Sequence, residues 1–202
     1  MRRLELSVAD PELSVDFFAG VLGWTVIAEP GGSFSGWVGD RLAAQVVAGD
    51  AGWRVVFGGA GPRELELNSS VDSGRVLHGP WAPVPRHGEP CWVEVASPEA
   101  GYWARELGWV ASGGVFSSLR HGDPRVVAGM SSGDGLLGGW GVFFAVDDVA
   151  AACGRVSEMD GEVVAPPSSS AAGVVAVVSG PKGGRCAFLE RPAGWGGARQ
   201  GA

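Results

Sequence analysis

The chain has 202 residues, of which 46% are hydrophobic, so it is long enough for one medium domain or two small ones with a packed core. Its 35 glycines and 13 prolines are spread between apolar runs, which favours turns and short strands over a collagen-like or disordered chain. The formal net charge of -7 and the lack of a Lys/Arg cluster argue against nucleic-acid binding, which depends on cationic contacts to phosphate.

A strand and a helix are the first predicted elements. Residues 3–8 alternate between polar and apolar side chains, which is the period of a half-buried strand. Asp10 and Pro11 then supply a helix N-cap and a first-turn proline, and apolar residues at helical spacing continue to Gly23. Three short apolar runs separated by Gly-rich turns follow, so the predicted order is β-α-β-β-β.

This order recurs along the chain. The stretch "VADPELSVDFFAGVLGWTV" at 8–26 is repeated as "VASPEAGYWARELGWV" at 95–110, which indicates an internal duplication. A further copy begins with the strand "GVFFAVDD" at 141–148. Between the first two copies, residues 53–81 look like strands of a unit whose helix is shortened or lost. The prediction is therefore an α+β fold of four βαβββ modules, with a degenerate second module.

These modules, with Leu-Gly-Trp at helix ends and Val-x-Asp turns at helix starts, resemble the vicinal oxygen chelate superfamily of glyoxalases, extradiol dioxygenases and bleomycin-resistance proteins. The resemblance covers residues 3–191. It implies that modules pair and curl their strands into two cup-shaped mixed sheets, with helices outside and a ligand inside a cup. We expect a first domain at residues 1–83, a second at 84–192 and a flexible tail at 193–202.

The resemblance also implies a metal site, from which this chain departs. The superfamily's metalloenzymes place a His at the start of a module's first strand and a Glu near the end of its last strand. The matching positions here hold Arg3, Pro90, Gly141 and Ala187, none of which suits a divalent metal. We therefore expect no metal and no other cofactor, because no Gly-rich phosphate-binding loop sits between a strand and a helix. A divergent metalloenzyme with other ligands stays open as an alternative.

In the implied cups, the side chains opposite the helix face point inward. Those side chains belong to Arg3, Glu5, Ser7, Trp92, Glu94 and Phe143. A carboxyl group in a semi-enclosed apolar cavity can act as a general acid or base, so Glu5 and Glu94 are candidate catalytic residues. The alternative is that each carboxylate is solvated or pairs with a nearby arginine such as Arg3 or Arg125.

Nine tryptophans against one tyrosine favour an aromatic ligand. Trp37, Trp92 and Trp140 are the candidates to line a cup and stack on that ligand. Arg120 and His121, in the turn-like "SSLRHGD", could clamp or protonate a ligand oxygen at a hairpin rim, or could be ordinary exposed turn residues.

Two functions follow from these observations. The first is a metal-independent acid-base enzyme of natural-product biosynthesis, which cyclises, dehydrates or isomerises an aromatic polyketide-like ligand. The second is a protein that sequesters an antibiotic without catalysis. We expect no signal peptide and no bilayer span of the required ~18 to 20 apolar residues, hence a cytoplasmic monomer or homodimer with a small-molecule partner. The three cysteines are expected to be small buried apolar residues.

Overall fold

The computed structural model describes residues 1–50, 52–73, 84–96, 99–119, 125–131 and 137–197. Over these ranges the chain forms two mixed β-sheets, one of seven strands and one of eight, with three helices. None of these helices has the length and apolar character that a membrane crossing requires. The predicted α+β fold of repeated modules is confirmed.

The first sheet has the strand order β2-β3-β4-β1-β5-β7-β6. Its elements are β1 (Arg3–Val8), α1 (Pro11–Leu22), β2 (Thr25–Glu29), β3 (Ser33–Val38), β4 (Arg41–Ala48), β5 (Gly52–Gly58), β6 (Arg63–Leu65) and β7 (Ser69–Asp72). The second module is degenerate as predicted, because β5 leads directly into the short strands β6 and β7 with no helix between them.

The second sheet has the order β13-β14-β15-β12-β8-β11-β10-β9. Its elements are β8 (Pro90–Ala96), α2 (Ala100–Leu107), β9 (Trp109–Ser112), β10 (Val115–Ser118), β11 (Arg125–Ser131), β12 (Trp140–Val146), α3 (Val149–Glu158), β13 (Glu162–Ser170), β14 (Gly173–Gly180) and β15 (Gly183–Glu190).

Both sheets are built around the same four-strand centre. The first strands of two modules pair antiparallel, as β1 with β5 and β8 with β12. Each of these is flanked by the last strand of its own module in parallel, as β1 by β4 and β12 by β15. The two halves of each sheet are therefore related by repetition, and corresponding positions can be compared between sheets.

Helix α1 shows how local sequence sets the element boundaries. The carboxylate of Asp10 accepts a hydrogen bond from the backbone N–H of Leu13 at 3.0 Å, and Pro11 occupies the first turn. Gly23 ends the helix in the left-handed region with φ 69°, a conformation that glycine adopts without steric cost. The helix buries Phe17 and Phe18 against the core.

An aromatic core joins the two sheets. The ring of Phe144 on β12 lies 5.5 Å from Trp53, 5.6 Å from Trp24 and 6.4 Å from Phe18, measured between ring centroids. These three partners all come from the first 58 residues. The apolar faces of the two sheets therefore complete one shared core, while their concave faces remain outside it.

The segment that enters β8 is fixed to both halves of the molecule. Trp24 donates its indole N–H to the carbonyl of Gly88 at 2.9 Å, and the N–H of Gly88 donates to the carbonyl of Ala145 at 2.8 Å. Arg86 donates to the carbonyl of Val38 at 2.9 Å. This segment therefore acts as a structural bridge.

The C-terminal segment differs from the expected flexible tail. Trp195 is 4% exposed and donates its indole N–H to the carbonyl of Val127 at 3.1 Å, while the N–H of Gly196 donates to the carbonyl of Cys91 at 2.7 Å. Residues 193–197 thus pack onto the second sheet, because a buried indole ring outweighs the conformational freedom of the surrounding glycines.

Candidate functional site

A pocket of about 200 Å³ lies on the concave face of the second sheet. Its walls are mainly apolar and include Phe143 on β12, Val177 on β14 and Ala187 on β15. These three residues are neighbours across the sheet, since Phe143 pairs with Ala187 and Ala187 pairs with Val177. Directly opposite residues on adjacent strands share a face, so the row forms one side of the pocket.

Glu94 on β8 is the ionisable residue in the described pocket wall. It is 9% exposed, and Trp92 donates its indole N–H to the Oε2 atom at 3.4 Å. Its cross-strand neighbours are Gly129 on β11 and Gly141 on β12. Because glycine has no side chain, neither of these two neighbours places a charged or polar side chain beside the Glu94 carboxyl group.

Glu5 occupies the corresponding position of the first sheet, but its neighbours on the adjacent strands carry polar or charged side chains. Its cross-strand neighbours are Gln45 on β4 and Arg54 on β5. Arg3 donates its Nε–H to Glu5 Oε1 at 2.6 Å, and Arg54 Nε lies 3.8 Å from Glu5 Oε2. The structure therefore places Glu5 in an ion-pair network, the alternative that the sequence left open for this residue.

Asp72 on β7 extends this network. Arg3 donates from Nη1 to Asp72 Oδ2 at 2.7 Å, and this hydrogen bond holds the pKa of the Asp72 carboxyl group below its usual 3.8. Arg54 also donates to Glu64 at 2.5 Å. The described concave face of the first sheet thus carries paired charges, where the pocket of the second sheet has mainly apolar walls.

The positions that the resemblance assigns to metal ligands do not fit a metal in this chain. Gly141 and Ala187 lie in the pocket wall and have no ligating atom in their side chains. A Cβ atom added at Gly141 would lie 2.6 Å from Leu137 Cδ1, so Leu137 occupies the space that a larger side chain would need. Arg3 is held in ion pairs, and Pro90 has no donor atom in its side chain. Among the described residues, no group of three or more His, Cys, Asp or Glu side chains could hold a metal ion.

The predicted aromatic residues are distributed over different parts of the molecule. Trp92 lies on the strand face of Glu94 but is fully buried beneath Trp195, with 6.1 Å between ring centroids.

Trp140 packs against Phe57 and Trp103, each at 5.0 Å between centroids, so it belongs to the shared core. Trp37 is half-buried on the first sheet and donates its indole N–H to Ser35 Oγ at 2.9 Å. The structure does not bring the three tryptophans together.

Of the predicted site residues, the structure brings Glu94 and Phe143 together in the pocket, with Trp92 beside Glu94. Arg3, Glu5 and Ser7 share the other concave face. Arg120 and His121 lie outside the described residues, so their proposed role at a hairpin rim stays a prediction.

Sequence reasoning missed the residues that shape the pocket without carrying charge. Gly129 and Gly141 lie directly across from Glu94 on the neighbouring strands, and Leu137 covers Gly141. A glycine inside an apolar strand run, as in "VVAGM", is a recognisable signal of close approach by a ligand or neighbouring chain. The pairing that sets these glycines beside Glu94 is long-range and could not be read from the local pattern.

Comparisons with solved structures agree with the geometry. The 2,3-dioxygenase LapB from Pseudomonas sp. KL28 is 15% identical with TM-score 0.62, covering 93% of this chain and 90% of that chain. The Mn(II)-bound glyoxalase from Novosphingobium aromaticivorans is 14% identical with TM-score 0.61, covering 94% and 83%. A variant of homoprotocatechuate 2,3-dioxygenase from Brevibacterium fuscum is 12% identical with TM-score 0.58, covering 92% and 69%. At these identities the likeness shows the fold alone.

The sequence itself identifies the family. No curated protein matches the chain significantly. The family model described as "Glyoxalase/Bleomycin resistance protein/Dioxygenase superfamily" matches residues 1–188, which is nearly the whole chain. This match and the repeated βαβββ architecture show that the chain belongs to the glyoxalase, bleomycin-resistance and dioxygenase superfamily, whose members handle small molecules.

Proposed function

We propose that this protein is a metal-independent acid-base enzyme that acts on an aromatic, polyketide-like small molecule in the pocket of the second sheet. The observation that carries the proposal is the setting of Glu94, a carboxyl group flanked by Gly129 and Gly141 and facing apolar walls. The corresponding Glu5 of the first sheet instead has Gln45 and Arg54 at these two positions and is held in ion pairs.

The pocket volume limits the part of a ligand that can enter. At about 200 Å³ it is smaller than the roughly 300–1,000 Å³ of drug-sized sites and larger than the ~150 Å³ apolar cavity that holds benzene. One or two fused rings, or the reactive end of a longer polycyclic compound, would fit. Phe143 and Val177 supply the apolar contacts for such rings.

The chemistry follows from a single proton-transfer group. A carboxylate can remove a proton from carbon and return it at another carbon or at a departing oxygen, which supports isomerisation, dehydration or a ring closure that proceeds through an enol. The hydroxyl group of Ser131 in the same wall can hydrogen-bond a ligand oxygen, whereas the Ser170 hydroxyl donates to the carbonyl of Gly173. His121, which lies outside the described residues, is proposed as a second acid.

The alternative function is sequestration of an antibiotic-like ligand without chemical change. One observation favours it: a carboxylate among mainly apolar described walls also suits a cationic or N–H-bearing aromatic ligand that forms a charge-assisted hydrogen bond with Glu94. The superfamily's name includes bleomycin-resistance proteins, and resistance by sequestration requires binding without turnover.

The test is incubation of chelator-treated protein with naphthols, tetralones and anthraquinones, followed by chiral chromatography and mass spectrometry of the recovered compound. We expect altered product, and in Glu94→Gln a loss of turnover of about 10²–10⁴-fold with binding retained. The matched variant Glu5→Gln should retain turnover and lose thermal stability, because Glu5 is paired with Arg3.

Recovery of unchanged compound that nevertheless binds would favour sequestration. Loss of turnover on chelation, restored by a divalent metal, would contradict the metal-independent mechanism. Full turnover in Glu94→Gln would remove this carboxylate from the mechanism.

A further inference from the structure

The C-terminal segment, residues 193–197, covers part of the concave face that carries the Glu94 pocket. Trp92 and Glu94 are two residues apart on β8 and therefore point to the same face of the sheet. Trp195 lies over the Trp92 ring, with 6.1 Å between centroids and 62° between ring planes. A Cβ atom added at Gly196 would lie 2.6 Å from Cε3 of Trp92, so the backbone of the segment also rests on this ring.

The end of the segment borders the pocket. Leu189 on β15 pairs with Val175 on β14, and Val175 lines the pocket, so both residues face the concave side. A Cβ atom added at Gly197 would lie 3.4 Å from Leu189 Cδ2 and 2.6 Å from the carbonyl oxygen of Ala172, another residue of the pocket wall. The segment therefore crosses the concave face from β8 to β15 beside the pocket.

One cross-strand step separates the ring under Trp195 from the pocket. Trp92 pairs with Phe143, and Phe143 lines the pocket. Side chains directly opposite each other on antiparallel strands have Cβ atoms about 4.5–5.5 Å apart, so a ligand seated against Phe143 would meet Trp92 next along this row. Trp92 is fully buried, because the chain's own indole covers the ring that the sequence predicts to stack on a ligand.

We propose that Trp195 is a specificity-determining residue of the Glu94 pocket. Its indole closes the concave face over Trp92, which limits a ligand to the cavity of about 200 Å³ beside Phe143. The inference rests on the proposed function in that it takes this pocket as the ligand site. It does not depend on proton transfer by Glu94, because the same limit on size applies to a ligand that is bound and released unchanged.

The experiment compares 2-naphthol and 2-anthrol, which differ by one fused ring, in equilibrium dialysis against the full-length protein. In the wild type we expect 2-naphthol to bind more tightly, because the third ring of 2-anthrol meets Trp195. In Trp195→Ala that ring can lie against Trp92, and the ratio of the two affinities should shift toward 2-anthrol by about tenfold or more. A general loss of stability would lower both affinities and leave their ratio unchanged.

Two further variants separate the contact with Trp92 from the loss of a buried ring. Gly196→Ala keeps the indole of Trp195 but places a methyl group 2.6 Å from the Trp92 ring, so it should displace the segment and shift the ratio in the same direction. Ala193→Ser changes an exposed position of the same segment and should keep the wild-type ratio.

The same ratio in wild type, Trp195→Ala and Gly196→Ala would overturn the proposal, and so would a lack of binding of both compounds by all three. A shift in Ala193→Ser as large as that in Gly196→Ala would also overturn it, because the effect would not depend on the Trp92 contact. The proposed function fails separately: full turnover in Glu94→Gln, or recovery of unchanged compound, would contradict the acid-base mechanism while leaving the shift in ratio intact.

Discussion

At the scale of single residues, the two glutamates at corresponding positions show how neighbours determine what a carboxyl group can do. Glu5 has Arg54 and Gln45 beside it, and Glu94 has two glycines. Both strands show the same alternation in the sequence, so both glutamates were predicted to face a cup. The residues that distinguish them lie on other strands, and their register depends on pairings that a local pattern does not contain.

The ion pair of Arg3 and Asp72 predicts a pH dependence of stability. Because the pKa of Asp72 is lowered in the folded state, the pair stabilises the protein above the unfolded-state value near 3.8, and this contribution is lost as the pH falls through the folded-state pKa. Melting temperatures of wild type and Asp72→Asn from pH 7 to pH 2 should differ near neutrality and converge at the acid end. A constant difference across that range would contradict the assignment.

A substitution at Gly141 tests whether aromatic compounds bind in the pocket of the second sheet. A Cβ atom there would lie 2.6 Å from Leu137 Cδ1, so Gly141→Val should displace Leu137, which also lines the pocket, and change the shape of the pocket wall. Binding of aromatic compounds, followed by fluorescence quenching, should fall at least tenfold. Gly58→Val on β5 is the control, since a Cβ atom there meets nothing within 4 Å and binding should persist.

At the scale of elements, the helices and their ends were predictable because their signals are local. Asp10, Pro11 and Gly23 mark the ends of α1 in the sequence as they do in the structure. The docking of residues 193–197 was not predictable, since a Gly-rich segment with one tryptophan has no local signal for a distant partner. Its contacts are with Trp92 and the carbonyl of Val127, on strands far earlier in the chain.

The C-terminal segment is therefore expected to contribute to stability. Trp195→Ala removes a buried indole ring and one hydrogen bond, and a loss of about 3–5 kcal/mol in the free energy of unfolding follows from the size of the ring. Urea denaturation would measure it. A change below about 0.5 kcal/mol, as typical of exposed residues, would show that the segment is not docked in solution.

At the scale of the whole molecule, the modules of each sheet repeat one plan, and the two sheets share one core. The repeat itself was visible in the sequence as the duplicated stretches around Trp24 and Trp109. The joining of the sheets through Phe144, Trp53 and Phe57 was not, because alternation shows only that a residue is buried and not which partner buries it.

The shared core predicts that the two sheets unfold together. Phe144→Ala, in the second sheet, should lower the free energy of unfolding by about 3–5 kcal/mol and should destabilise the first sheet equally. Hydrogen exchange at the amides of β1 and β12 would show this as parallel loss of protection. Loss confined to β12 would mean that the sheets are independent folding units.

The aromatic core that the two sheets share also affects the protein while it is being synthesised. The strands of the first sheet are complete once residue 72 has been made, yet Phe144 and its neighbours on β12 leave the ribosome only after about 70 further residues, on the order of ten seconds at ~5–20 residues per second. Throughout that interval Phe18, Trp53 and Phe57 present an uncovered aromatic surface to other nascent chains. The speed of translation through residues 73–146 therefore sets how long each new molecule is exposed to aggregation.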